Sequence, residues 1–148
     1  MSIDNSALDL LAGGGSSAKF STIGEVHKGE VVSAVRSQQT DFDTGLPKSW
    51  DNGDPMWQVV ITLQTAERDA DDATDDGIRK IYAKGEMLKA IQRGLKEAGA
   101  TLEVGGILAV EYVGDGEAKK RGMSPPKLYR AQYKAPSLVT AEAAESLI

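Results

Sequence analysis

Positively charged and aromatic side chains stand close together at several points of this sequence. Tyr82 alternates with Lys80 and Lys84, and Trp50 follows Lys48 by two residues. Such cations can pair with phosphate groups, and exposed rings offer surfaces on which nucleobases stack. The candidates for one of these two roles are Arg36, Phe42, Lys48, Trp50, Arg79, Lys80, Tyr82, Lys84, Lys119, Lys120, Arg121, Lys127 and Arg130.

Residues for catalytic or metal chemistry are scarce. The chain has no cysteine and a single histidine, so it cannot build a thiolate zinc site, and only one ring could activate a nucleophile. We interpret that residue, His27, as an ordinary surface or edge residue. The acidic run 69–76, DADDATDD, lacks the glycine and the final glutamate of a calcium-binding loop. We therefore expect no catalytic residues, no metal and no cofactor, and a protein that is not an enzyme.

The charge of the chain is negative overall but unevenly distributed. The 148 residues carry 17 basic and 22 acidic side chains, which gives a net charge of -5. Residues 116–136 hold six basic residues and one acid, whereas residues 66–76 hold six acids and one arginine. Because the field at a groove depends on the charges nearby, the negative total does not exclude a polyanion as the ligand.

The composition divides the chain into one domain and two ends. Residues 1–18 finish in the stretch LAGGGSSA, which is typical of a flexible arm, and residues 137–148 follow Pro136 as a flexible tail. Residues 19–136 remain as the folded domain, and their number is usual for a single domain. The sequence has neither a signal peptide nor an apolar run long enough for a membrane span, so we expect a cytoplasmic protein without membrane contact.

The hydrophobic pattern predicts a mainly β domain with one helix. The clearest strand is 56–65, where Trp57 shares its face with Ile61, and we therefore interpret Trp57 as a core residue. Residues 86–98 have an apolar stripe at helical spacing, and Gly99 follows as a typical C-terminal stop. The predicted elements, in order, are strands 29–40, 56–65 and 78–84, the helix 86–98, and strands 107–113 and 127–134.

Strict alternation also assigns faces within the first and third strands. In the first strand, Val31 and Val35 share one face and Arg36 lies on the other. In the third strand, Tyr82 shares a face with the lysines on either side of it, while Ile81 occupies the opposite face.

Three strands, a helix and two more strands is the element order of the OB-fold, a five-stranded Greek-key barrel with one α-helix between strands 3 and 4. In that fold the ligand groove crosses strands 2 and 3, and the loops between strands 1 and 2 and between strands 4 and 5 border it. Here the first of these loops contains Lys48 and Trp50, the second contains 119–121, and strand 3 contains Tyr82. The fold would thus bring candidate cations and rings to one groove, which predicts binding of single-stranded nucleic acid.

The connection between the first two predicted strands has a distinctive residue pattern. It consists of Thr44, Gly45, Pro47, Lys48 and Trp50, followed by Gly53 and Pro55. With this loop, residues 19–136 resemble the small OB-fold single-stranded DNA-binding proteins of actinobacterial bacteriophages. The resemblance implies sequence-tolerant binding and protection of single-stranded DNA in phage DNA replication or recombination, in the cytoplasm of the host cell. It also implies replication or recombination proteins as partners of the C-terminal tail, although this tail is less acidic than that of the familiar bacterial single-strand binders.

The same residues allow other interpretations. Trp50 could anchor its loop instead of stacking on a base, Arg36 could be solvated, and 119–121 could be an ordinary solvated run of charge. The alternative function is an OB-fold module for protein interaction or assembly that binds no nucleic acid, which the negative net charge favours. A small enzyme with catalytic carboxylates at Asp71 and Asp72 is a third hypothesis. A barrel edge could also pair between two copies of the chain and form a homo-oligomer.

Overall fold

The computed structural model describes residues 16–41, 43–118, 122 and 124–136. Within these ranges the chain forms strands and one helix in the predicted order, preceded by one additional short strand. The elements are β1 (Ser16–Ser17), β2 (Val26–Gln38), β3 (Trp57–Thr65), β4 (Ile78–Ala83), α1 (Gly85–Ala98), β5 (Ile107–Asp115) and β6 (Lys127–Lys134). The prediction of a mainly β fold with one helix between the third and fourth long strands is confirmed.

All six strands belong to one mixed sheet in the order β1-β4-β3-β2-β5-β6. The pairs β4–β3, β3–β2, β2–β5 and β5–β6 are antiparallel, and β1 is parallel to β4. Among the described residues, the pairings leave β1 and β6 at the two edges. The structure therefore has an open sheet where the sequence led us to expect a five-stranded barrel.

The core lies on one face of this sheet. Leu63, Leu108 and Val110 are fully buried there, and α1 covers β6 on the same side. A Cβ atom at Gly94 would lie 2.6 Å from the carbonyl oxygen of Ala131, so this glycine sets how closely the helix approaches the strand. The helix ends at Gly99 as predicted, in the left-handed region at φ 64°. In the described ranges, no helix has the length and apolar character needed to cross a membrane.

A β-bulge interrupts β2 at Val32. Val31 pairs with Leu63, but Ser33, two residues later, pairs with Thr62, the immediate neighbour of Leu63. The extra residue turns the following part of β2 over relative to the core. The predicted grouping of Val31 with Val35 is therefore wrong: the first is buried, and the second is 56% exposed on the outer face.

The segment before β2 is fastened to the sheet. Ser16 and Ser17, which the composition places in the flexible arm, pair with β4, and the Phe20 side chain is buried against the core. His27 is also buried, contrary to its interpretation as a surface or edge residue. Its Nδ1 lies 2.6 Å from a carboxylate oxygen of Glu67 and its Nε2 lies 2.6 Å from the carbonyl oxygen of Lys19. These contacts join the segment to β2 and to the connection after β3.

Candidate nucleic-acid interface

Three side chains form a row across the outer face of the sheet. Val35 of β2 is opposite Val60 of β3, and Val60 is opposite Tyr82 of β4. Val60 is half-buried, whereas the Tyr82 ring is 44% exposed. We call Val35, Val60 and Tyr82 the outer row. It provides a small apolar surface with an accessible aromatic ring at one end.

Lysines stand on both sides of the ring of Tyr82 along β4. Alternation along the strand places Lys80 on the face of Tyr82. The backbone of Lys84 is still extended, with φ -147° and ψ 165°, so the alternation continues to that residue before α1 begins. The predicted grouping of these three side chains therefore agrees with the backbone of β4. An aromatic ring between two cations on one exposed face is an arrangement suited to a base and its neighbouring phosphates.

Arg79 does not belong to this surface. Its position in β4 opposite Leu63 directs it to the core face, and it is only 7% exposed. Its guanidinium donates two hydrogen bonds to the Asp75 carboxylate, and its Nε lies 3.6 Å from Glu67. The pKa of Arg79 is raised, chiefly by the hydrogen bonds to Asp75. We therefore withdraw Arg79 as a candidate phosphate contact, because its charge is already matched inside the protein.

The long connection between β2 and β3 is folded into two tight turns. In the first, the Asp41 N–H donates to the carbonyl of Leu46. The Asp41 carboxylate accepts hydrogen bonds from the N–H groups of Thr44 and Asp43, which lower the pKa of Asp41. In the second, the Trp50 N–H donates to the carbonyl of Asp54 at 2.8 Å. The connection is thus a shaped extension of the β2–β3 hairpin.

The two candidate residues described in this connection, Lys48 and Trp50, have exposed side chains on a fixed backbone. The Lys48 N–H donates to the carbonyl of Gln39 at 2.8 Å, and the Lys48 carbonyl accepts from Met56 N–H at 3.0 Å. Trp50 is 59% exposed, so its ring is not a buried anchor of the loop. Phe42 lies outside the described residues.

Arg36 and Trp57 contact each other near the end of the β2–β3 hairpin. The guanidinium carbon of Arg36 lies 4.4 Å from the centroid of the Trp57 ring. Trp57 is 44% exposed, so its interpretation as a core residue is wrong. It does share the face of Ile61, but only Gln38 of β2 pairs with it at the end of the ladder. The hairpin extends there beyond the strands that would complete a core.

Two further candidates, Lys127 and Arg130, lie on β6, which β2 and β5 separate from β3 and β4. Arg130 pairs with Glu111, its Nη2 lying 2.7 Å from the carboxylate. The Lys127 ammonium donates to the carbonyl of Phe20 and lies 5.1 Å from the centroid of the Tyr112 ring. The structure therefore does not bring Lys127 and Arg130 to the outer row. Lys119, Lys120 and Arg121 lie outside the described residues.

Two parts of the surface were not identified from the sequence. Val35 and Val60 complete the outer row, but the bulge that exposes Val35 leaves no mark in the alternation of β2. Trp57 was assigned to the correct face, and its position at the very start of the strand was the signal that it could lie beyond the core.

No family model, curated protein or solved structure was found to match the chain, so a function is inferred from these residues alone.

Proposed function

We propose that this protein binds single-stranded DNA with little dependence on base sequence. The observation that carries the proposal is the exposed ring of Tyr82 between Lys80 and Lys84 on one face of β4. A base would stack on the ring while the lysines pair with the phosphates on either side. Val35 and Val60 extend the apolar surface beside the ring, and Trp50 on the neighbouring connection offers a second ring.

The strand order supports an OB-type architecture as part of this proposal. The long strands β2 to β6, with α1 between β4 and β5, follow the order 3-2-1-4-5 when they are counted as the five strands of that fold. In this assignment β3 and β4 are strands 2 and 3, which carry the ligand groove of OB-folds. The absence of pairing between β4 and β6, with β1 at the free side of β4 among the described residues, corresponds to a barrel that is partly open.

The proposed biological role is protection of exposed single strands during phage DNA replication or recombination, in the cytoplasm of the host cell. Such a role needs affinity for phosphate and for any base. Cations pair with phosphates whatever the base, and aromatic rings stack on every base. Replication or recombination proteins are the proposed partners of residues 137–148, which lie outside the described residues.

A protein-interaction module is the second candidate function, and the exposed aliphatic side chains favour it. Val32 and Val35 of β2 are both exposed, and aliphatic residues of this kind contribute to protein interfaces more readily than to phosphate recognition. Under this hypothesis the outer row would bind another protein and the chain would have no affinity for oligonucleotides.

The deciding experiment is fluorescence anisotropy of a labelled oligo-dT titrated with the protein at low and at moderate salt. Binding that weakens with salt and that an excess of duplex DNA does not displace is the result we expect. No change of anisotropy at low salt would exclude the single-strand proposal and leave the interaction module. The same titration with oligo-rU compares DNA with RNA.

A further inference from the structure

The contact between Arg36 and Trp57 is built on a fixed piece of backbone. The two residues lie diagonally across the β2–β3 ladder on one face, a separation that long side chains bridge. The Gln39 side-chain amide donates to the carbonyl of Trp57 at 3.0 Å, and the Gln38 amide donates to the carbonyl of Lys48 at 2.8 Å. The hairpin therefore presents the indole and the guanidinium in a defined arrangement before any ligand arrives.

Arg36 differs from the paired arginines of β4 and β6 in how its charge is used. Arg79 donates to Asp75 and Arg130 donates to Glu111, so both face a carboxylate. None of the ion pairs within the described ranges involves Arg36. Its guanidinium instead lies over an indole, which holds the planar group in place without neutralising it. The N–H groups at its edge can still donate to an anion.

The ends of β3 and β4 leave a path for a nucleic-acid strand from the outer row to the Arg36–Trp57 stack. The last pair between β3 and β4 is Val59 with Ala83, so Trp57 and Gln58 extend past the end of β4. Lys84 follows directly where β4 leaves β3, on the face of Tyr82. A nucleic-acid strand that passes Tyr82 and Lys84 can therefore cross the edge of β3 at Gln58, with which no described residue of β4 pairs, and reach the opposite face.

We propose that the Arg36–Trp57 stack is a second binding site for a nucleobase, on the opposite face of the β2–β3 hairpin from Tyr82. This inference rests on the proposed function. The exposed part of the indole stacks on the base, and Arg36 donates to the adjacent phosphate. A bound single strand then wraps around the free edge of β3 instead of lying on one face of the sheet.

Tryptophan fluorescence tests the site directly, because the chain has two tryptophans, Trp50 and Trp57. In Trp50→Phe, the remaining indole reports on the stack alone. We expect a long oligo-dT to quench its emission in parallel with the anisotropy of the labelled oligonucleotide. If Trp50→Phe binds poorly, the difference in quenching between the unmodified protein and Trp57→Phe gives the same readout. Oligonucleotide binding without any quenching of Trp57 overturns the second site and leaves the proposed function intact, whereas absence of binding by anisotropy overturns both.

A pair of substitutions separates stacking from mere structural support. Trp57→Leu removes the ring and keeps apolar bulk, and we expect it to raise the Kd by roughly 5- to 150-fold, the range for one stacked base. Trp57→Phe keeps a ring and should remain close to the unmodified protein. The melting temperatures of the two variants serve as the control for folding. Equal, unchanged affinities for both variants would contradict the second site.

Discussion

Arg79 and Asp75 form a bidentate ion pair on the core side of β4, with N–O distances of 2.9 and 2.7 Å. The Asp75 carboxylate also accepts hydrogen bonds from the N–H groups of Asp69 and Gly77. This one side chain therefore stabilises the backbone of the acidic connection between β3 and β4. The charge of Arg79 is thereby used for the fold. The outer face of the same strand carries Lys80 and Tyr82.

The Arg79–Asp75 ion pair makes the stability of the folded protein depend on pH. The hydrogen bonds from Arg79, followed by those from the backbone, hold the pKa of Asp75 well below its ordinary value of 3.8. The charged carboxylate therefore stabilises the folded state fully above the ordinary pKa, and this stabilisation declines below that value and is lost as the pH falls through the lowered pKa of the folded state. We expect Asp75→Asn to lower the melting temperature at neutral pH and to lower it less as the pH falls below 3.8.

Asp71→Asn is the matched control, because it makes the same change at an exposed position of the same connection. Thermal unfolding followed by circular dichroism over a pH series measures both variants. Equal melting temperatures for the two at neutral pH would show that the Asp75–Arg79 pair contributes no net stability.

The ring of Tyr82 should carry a large share of the affinity for single strands. Tyr82→Ala removes the stacking surface, and we expect the Kd to rise by roughly 5- to 150-fold. Tyr82→Phe retains the ring and should bind nearly as well as the unmodified protein. Anisotropy titrations of both variants at one salt concentration make the comparison, and a Tyr82→Ala variant with unchanged affinity would remove this residue from the interface.

Lys84 should contribute through its charge, which is visible in the salt dependence. For a single strand, each phosphate contact contributes about 0.7 to the slope of log K against log salt. Lys84→Gln should reduce the slope by about that amount. Lys89→Gln on the exposed side of α1 removes the same charge away from β4 and should leave the slope unchanged. A reduction of equal size in both variants would indicate a general effect of net charge.

Gly94 should resist replacement even by alanine. Alanine is favoured over glycine within a helix by up to about 1 kcal/mol. The added methyl group, however, would lie 2.6 Å from the backbone oxygen of Ala131, and overpacking of this kind costs about 1–3 kcal/mol. We expect Gly94→Ala to lower the free energy of unfolding in a urea titration. Increased stability would mean that α1 moves away from β6 without cost.

The parts of the fold that follow from local periodicity were predictable. Tyr82 and its lysines share a face because β4 is regular, and α1 stops at Gly99 because the residue tolerates a positive φ. The burial of Arg79 was harder to predict. Its charge suggested the surface, whereas its position two residues before Ile81 placed it on the core face. Only the position of Asp75, four residues earlier, hinted at a partner.

Features that depend on pairing between strands were not predictable. The bulge at Val32 exists because Ser33 pairs with Thr62. The residue types within β2 do not indicate that pairing, so the bulge could not be predicted from them. Trp57 is exposed because β4 ends earlier than β3, which is a property of two strands together. These two features expose Val35 and Trp57, so the surface we propose as functional depends on the pairing more than on any motif.

The short β1 strand covers the first part of one edge of β4. A strand edge with unpaired N–H and C=O groups is a template on which another molecule can add its own strand. Ser16 and Ser17 cover Arg79 and Lys80 on β4, and the Ala18 N–H adds a hydrogen bond to Lys80. A shortened chain that begins at Lys19, the domain boundary indicated by composition, would lose this cover while retaining every other strand. Its concentrated solutions would then be prone to edge-to-edge aggregation.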